Sequence, residues 1–577
     1  MDNELKLMAL IDEHGLFGAL KSRARISSLS HEELGRNLAN LHNRKRINIV
    51  SEFASLNINS SEHDFFDMRD AFERALPLID DHIENVVVCV RNLIKAAGSD
   101  ISAYWILNPF IKFCSADSSR PEAVIKGQLD NYEPNMGFLR AALLAGAEID
   151  FPKYIGITLD ITRSANLNLA REALGSIARM NFKGDHSSTI QIFNEVISIC
   201  SERRDDELDA ELLRTLVALN LVNENLSDKV VRHLDTSCKI YNEPLMNACA
   251  EILFQHKNAL QPEVEASLLS VSKMIRAENE AAINYIDLYL ADCLRKGKPD
   301  VVTDFIESVF EKTKYAIKVS DFNSVQREFK NVPDKVLSTI ITRWILLRKV
   351  LFGRACCDLI EGISDLGVEL GYDTELIFKE EGTPHKYLAR QACGWFFGRQ
   401  ITSVSLILSL VDHCSEEDLP IISDIIFNPL LVSYSGSVAD YLDKKSKHGS
   451  KAVKKLCGEL LNKLSLYQDG LRAAFEVKEL HPSDENINLY RIHHQNQMDE
   501  AMKRSSNKFS LFDFFKKSVL LYGRSSIQYM EHGDQESRQE IPLSTISHTI
   551  EIPALLNIDP EGLEEKLFQF RQEGCYE

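Results

Sequence analysis

The residues best equipped for chemistry lie close together near the C-terminal end. Arg491-Ile492-His493-His494-Gln495 places a guanidinium and two imidazoles within one or two helical turns. On a helix Arg491 and His494 share a face, being three residues apart. With Arg524, and with His532, Asp534 or His548 folded beside them, they would provide acid–base groups and a cation for phosphodiester cleavage. His493 and His494 are adjacent and diverge on a helix, so they cannot share a metal as an i, i+4 pair does. No local pattern requires catalysis. The chain has no Gly-x-x-x-x-Gly-Lys-Ser/Thr, no Gly-x-Gly-x-x-Gly, no Gly-x-Ser-x-Gly and no His-Glu-x-x-His. A surface or structural role is the simpler reading of these residues, and no metal or cofactor is expected.

A second group is cationic. Lys444, Lys445 and Lys447 precede Ser450, and Lys451, Lys454 and Lys455 follow it. Ser450 predicts a helix N-cap, with these last three lysines on one face and Val453, Leu456, Cys457, Leu460 and Leu464 on another. Three ammonium groups at the positive end of a helix dipole cost a few tenths of a kcal/mol each, or about that. A cluster held against its local electrostatics suits an anionic partner, either phosphate backbone or an acidic protein surface. Lys503 and Arg504 fall at the C-terminal end of a helix begun at Ser483, where cations are favoured anyway. Lys508, Lys516 and Lys517 extend the patch. Phe509, Phe512, Phe514, Phe515 and Tyr522 interleave with them and read as core rather than as a base-stacking platform.

The charge of the whole chain sharpens this contrast. The formal net charge of the 577 residues is −19. Residues 444–524 carry 16 Lys or Arg against 9 Asp or Glu, a local +7, which leaves −26 for the remainder. Such a balance excludes a general affinity for nucleic acid or anionic membrane and marks one basic module. The 12 cysteines include no Cys-x-x-Cys pair and sit mostly in apolar stretches, as small buried side chains of a reducing compartment. No basic leader precedes an apolar core at the N-terminus. The longest apolar stretches, such as 401–411, reach about half the roughly 20 residues needed to cross a bilayer. A cytoplasmic protein without a membrane partner is expected.

The elements that position these groups are helices. Capping patterns begin at Ser30, Ser61, Ser415 and Ser483, each followed by acidic residues. Leu167, Ala170, Ala173, Leu174, Ile177 and Ala178 fall on one face of a 3.6-residue period. Leu208, Leu212, Leu216 and Leu219 form a second such stripe. Leu245, Ala248, Ile252 and Leu253 form a third, and Ile283, Ile286, Leu290 and Leu294 a fourth. Residues 131–315 hold roughly ten helices, or about five pairs of 35–40 residues.

Ala170, Ala173, Leu174, Gly175 and Ile177 resemble the second helix of a HEAT repeat. Where that family usually carries Val-Arg, this chain has Asn166-Leu167, so the match is partial and covers about 20 residues. The resemblance implies an α-solenoid and says nothing of the ligand.

Towards the end the pattern changes. Ser526-Ile527-Gln528-Tyr529-Met530 and Ser547-His548-Thr549-Ile550-Glu551-Ile552 alternate apolar with polar around the turn signal His532-Gly533-Asp534. These predict a small hairpin, followed by a last helix from about Asp559 to Gln572. The expected fold is all-α, a helical-repeat array of HEAT or armadillo type with a small C-terminal α+β cap. Its expected parts are an N-terminal helical domain over 1–118, the array over 119–443 and a basic module over 444–577. The expected function is a non-enzymatic scaffold or adaptor for a protein partner, with nucleic acid as a second ligand of the basic module. Two alternatives remain: a nucleic-acid-processing enzyme acting near Arg491, His494 and Arg524, and a regulatory subunit of an ATPase machine.

Overall fold

Short polar side chains start the helices of the N-terminal half. The computed structural model describes residues 2–21, 30–56, 62–98, 100–182, 185–201, 203, 205–237, 239–364, 367–380, 384–477, 481–506, 517–521, 525–532, 535–542 and 551–576. It divides into two compact units, residues 1–289 and 290–577.

In the first unit, Asn166, Asp205 and Asn242 each precede a helix. Their side-chain oxygens accept the backbone N–H of Asn168 at 3.0 Å, of Leu208 at 2.8 Å and of Leu245 at 3.0 Å. Each satisfies a donor that the helix itself leaves unpaired. The helices so begun are Leu167–Ile177, Asp206–Val222 and Glu243–Gln255. Together with Phe138–Ile149 they pack in sequence order, each on the next. A second layer runs beside them, made of Phe151–Thr162, His186–Ser201, Ser227–Ser237 and Pro262–Ser272. Contacts between sequence neighbours, repeated, are what distinguish a repeat array from a single globular core.

The apolar stripes lie where the sequence period places them. Ala170, Ala173, Leu174 and Ile177 are buried, as are Leu208, Leu212, Leu216 and Leu219. Leu169 is buried in place of Leu167, because the Asn166 cap fixes the start of the helix and with it the angle of the buried face. Polar groups bridge neighbouring repeats. The Thr215 hydroxyl donates to the Leu174 carbonyl at 3.0 Å, and Arg214 bonds Glu211 at 3.0 Å and Glu251 at 2.9 Å. Gly175 is small for a reason found in the next repeat. A Cβ there would lie 2.0 Å from Glu211 Oε1 and 2.9 Å from Arg140 Nη2.

The earlier helices pack in the same alternating way. His31–Asn43 lies on Glu62–Ala75, and Ile49–Ala54 on Ile83–Ala97. Leu107–Ser115 and Ser119–Asp130 both lie on Phe138–Ile149. The predicted capping box at Ser30 is complete, with reciprocal bonds to Glu33. Ser415 instead accepts the Asp418 N–H at 3.1 Å within a turn, and the helix there starts only at Leu419, where Pro420 fits the first turn. Ser61 lies outside the described residues.

The second unit is also helical. Asp334–Leu346, Val350–Ile363, His385–Phe396, Gln400–Ser409, Ser437–His448 and Lys451–Phe475 are its main elements. An extended segment is stitched to one of them. Backbone N–H groups of Val368, Leu370 and Tyr372 donate to Thr402 Oγ1 at 2.7 Å, Ser405 Oγ at 3.0 Å and Ser409 Oγ at 2.9 Å. Every second residue of an extended chain faces one way, and positions three and four apart share a helix face, so the two spacings match. The same unit contains an antiparallel sheet of three strands: β1 (Lys517–Leu521), β2 (Ser525–His532) and β3 (Gln535–Pro542), in that order.

The hairpin read from the sequence is therefore shifted. Residues 526–530 lie in β2, but their partner is β3, with Tyr529 opposite Arg538. β3 is too polar to show an alternating pattern, and backbone pairing selects it as the segment next to the turn. Residues 543–550 lie outside the described residues, and Glu551 and Ile552 are not in a strand. The final helix is Pro560–Gln572, capped by Asp559, and it packs on His385–Phe396.

One substitution tests how closely the repeats approach. Gly146→Ala should gain about 1 kcal/mol of helix propensity. It also places a Cβ 2.0 Å from Cε1 of the buried Tyr154 ring. Overpacking of a filled core costs about 1–3 kcal/mol. A lowered urea midpoint with an unchanged slope is expected; a raised midpoint would mean that the ring yields freely.

Candidate interaction surface

The lysine cluster is built by two helices meeting end to start. Ser437–His448 runs through Lys444, Lys445 and Lys447, so these three lysines are helical. The break is confined to Gly449 and Ser450. Gly449 N–H bonds the Lys445 carbonyl at 2.8 Å, and Ser450 accepts the Val453 N–H at 3.2 Å while donating to Asp412 at 2.6 Å. The first three lysines thus lie at a helix C-terminus, where the dipole favours them. Only the later three oppose a dipole. Lys451, Lys454 and Lys455 are exposed, opposite the buried Val453, Leu456, Cys457, Leu460 and Leu464.

Neighbouring carboxylates lie within ion-pair distance of half of this cluster. Lys445 pairs with Glu369, Lys447 with Asp443 at 2.5 Å and Lys455 with Glu459 at 3.9 Å. Lys444, Lys451 and Lys454 have no carboxylate within ion-pair distance among the described residues. Two shallow grooves of about 400 and 530 Å³ adjoin here and share Glu369, Tyr441 and Lys445.

Beyond the lysines the apolar stripe outruns its cover. Leu460 and Leu464 are buried and Tyr467 is half-buried, but Leu471 is 50% exposed and Phe475 74% exposed. These residues follow one another at steps of three and four, so they form a single helical face. The next helix, Asp484–Ser506, exposes Leu489, Tyr490, Ile492 and Met498. Tyr490 donates to Asn557 at 2.6 Å. Arg491 and His493 are exposed on this helix, and Lys503 and Arg504 fall in its last turn. Lys517 opens β1. The side chain of His494, and Lys508, Lys516 and Arg524 entirely, lie outside the described residues, as do Asp534 and His548. The described residues therefore bring no second group of the imagined phosphodiester site to Arg491.

Two features escaped the sequence reading. One is the hydroxyl series Thr402, Ser405 and Ser409, hidden inside a stretch read simply as apolar. Its spacing of three and four on a helix was the available signal. The other is a set of buried imidazoles. His42 lines a cleft of about 950 Å³ in the first unit with Arg46, Asp81 and Arg120, and its Nε2 lies 3.4 Å from Asp81. His385 is buried with neither ring nitrogen hydrogen-bonded, and one carboxylate oxygen of nearby Asp418 is likewise unpaired. Among the described residues no group of three or more His, Cys, Asp or Glu is placed to hold a metal ion. No described helix is long and apolar enough to cross a membrane.

No family matches this chain, and no curated protein matches it. Two solved structures align over most of its length. One is an engineered protein, 15% identical, covering 81% of this chain and 99% of its own, with a TM-score of 0.21. The other comes from work on a phosphorylation switch that controls the interaction between cadherin and β-catenin. It is 14% identical, covers 82% of this chain and 93% of its own, and has a TM-score of 0.19. Scores this low establish no common fold. The helical repeat-like array is carried by the packing of the chain itself.

Burial holds the His385 pKa below the usual 6.5, with His413 adding to the effect and Asp418 opposing it. The folded state thus favours the neutral ring, and the unfolded chain binds the proton first. This contribution to stability is present above about pH 6.5 and is lost as pH falls below it. His385→Phe should lose less stability than the wild type between about pH 7.5 and 5.5, measured as the shift in denaturation midpoint. An equal loss would place the effect elsewhere.

Proposed function

We propose that this protein is a non-enzymatic helical-repeat scaffold that binds a protein partner through the arm formed by residues 451–506. The observation that carries the reading is the stripe of the Lys451–Phe475 helix, buried over its first half and uncovered over its second. A run of large exposed apolar side chains on consecutive turns marks an interaction surface rather than scattered surface residues. The lysines at the base of the arm would steer an acidic partner onto it.

An acidic protein fits better than nucleic acid. Affinity for phosphate backbone rests on many uncompensated cations, and Glu369, Asp443 and Glu459 already occupy three of the six lysines. The basic module of 444–577 is accordingly read as a protein-docking element.

Leu471→Asp with Phe475→Asp in the full-length chain should abolish capture of the partner from the native host and leave the melting temperature unchanged. Both side chains are already solvated, so their loss removes little burial. Capture that survives the double change would reject this reading. Charge reversal of Lys451, Lys454 and Lys455 should weaken capture mainly at low salt. Steeply salt-dependent binding of a short duplex, lost on the same reversal, would instead assign the cluster to nucleic acid.

A further inference from the structure

We propose that the extended segment 367–373 is an open strand edge, and that an extended peptide of a protein partner adds to it as a further strand through the main chain of Glu369 and Gly371. This surface is distinct from the arm and goes beyond the scaffold reading above. The ligand is defined by its backbone: a short segment that presents N–H and C=O groups at every second residue.

Along an extended chain, successive residues turn their N–H and C=O groups to opposite edges. The inner edge of this segment is engaged by a helix. Val368, Leu370 and Tyr372 donate to the hydroxyls of Thr402, Ser405 and Ser409, and the Thr402 hydroxyl returns a bond to the Val368 carbonyl at 2.7 Å. Glu369 and Gly371 therefore face outward. Neither their N–H nor their C=O groups have a hydrogen-bond partner among the described residues. Main-chain groups of a folded chain are otherwise almost all paired, and a row of unpaired ones at this spacing is what an added strand pairs with.

The outer edge is uncovered and held in place. Glu369 is exposed and Gly371 half-buried. Both line the groove of about 400 Å³, together with Lys335 and Ser338 of Asp334–Leu346 and Tyr441 and Lys445 of Ser437–His448. The groove of about 530 Å³ reaches Glu369 as well. On the inner side Leu370 and Tyr372 are buried, and the Asp373 N–H donates to Thr342 Oγ1 at 2.8 Å. An edge already fixed in extended form loses little freedom when a strand joins it. A peptide suits this edge better than a second copy does. The flanking grooves admit a single extended segment, whereas a second copy would bring the same walls against them. Two outward residues also offer too little contact to hold a stable dimer.

The test uses the full-length chain and a fluorescein-labelled short peptide of alternating Thr and Val, followed by fluorescence anisotropy. Thr and Val favour the extended form, and main-chain pairing does not require the partner's own sequence. Saturable binding is expected. Methylating every second peptide nitrogen leaves one edge of the peptide free and should cost about twofold, whereas methylating all of them should abolish binding. Bound peptide should slow amide exchange at Glu369 and Gly371 and leave Val368, Leu370 and Tyr372, which are already bonded, unchanged. Gly371→Pro removes one outward N–H, keeps the inward ones and should weaken binding by about tenfold or more. If that variant melts early, the exchange pattern and the methylated peptides decide the matter in the wild-type chain. No saturable binding, undiminished binding of the fully methylated peptide, protection spread evenly over 368–372, or wild-type affinity in a folded Gly371→Pro chain would each overturn the proposal. So would self-association that protects Glu369 and Gly371 without peptide, which would assign the edge to a second copy. Leu471→Asp with Phe475→Asp should leave peptide binding unchanged, so this proposal and the arm reading fail separately.

Discussion

An amphipathic helix buries its apolar stripe only if another helix arrives to cover it, and in most of this chain the covering helix is the next one or the next but one in sequence. The arrival is timed by a polar side chain. Asn166, Asp205 and Asn242 each set the first residue of a helix, and so fix the angle at which its leucines and alanines turn inward. Small residues then decide how near the neighbours come. Gly175 admits the Glu211–Arg140 pair of adjacent repeats, and Gly146 admits the Tyr154 ring. Residues that look permissive in isolation are fixed by the repeat beside them.

The same rule explains why the arm stands out. Along the Lys451–Phe475 helix the stripe is continuous but its cover is not, so burial fades between Leu464 and Leu471. The C-terminal helix is the converse case. It brings a stripe of its own, Leu563, Leu567 and Phe570, back to a helix some 170 residues earlier in the chain. One surface lacks a cover and the other borrows one, and both follow from one requirement placed on helices with a single apolar face.

Much of this architecture was legible in the sequence. The stripe at Leu208, Leu212, Leu216 and Leu219 is wholly buried, and the caps at Ser30 and Ser450 form. Period and capping are local, so they survive translation into structure. The Asx caps at Asn166, Asp205 and Asn242, which recur 39 and 37 residues apart, are equally local. Other features depend on distant partners. The lysines and the following glycine of 443–449 suit the C-terminal end of a helix, and the helix ends there at His448. β3 carries too few apolar residues to announce a strand. No pattern in residues 551–576 shows that Glu551 caps Ser437–His448 or that Glu573 meets Arg390, since those pairings arise only when the chain folds back.

The dependence of each helix on its neighbours is open to a direct measurement. Amide hydrogen exchange across the first unit, compared between the wild type and Asp205→Ala, reads the stability of every helix separately. If neighbours alone support one another, protection should fall most in 206–222, less in 167–177 and 243–255, and hardly at all in helices farther along the chain. A uniform fall across all helices of the unit would show a single cooperative core instead, and would contradict the account.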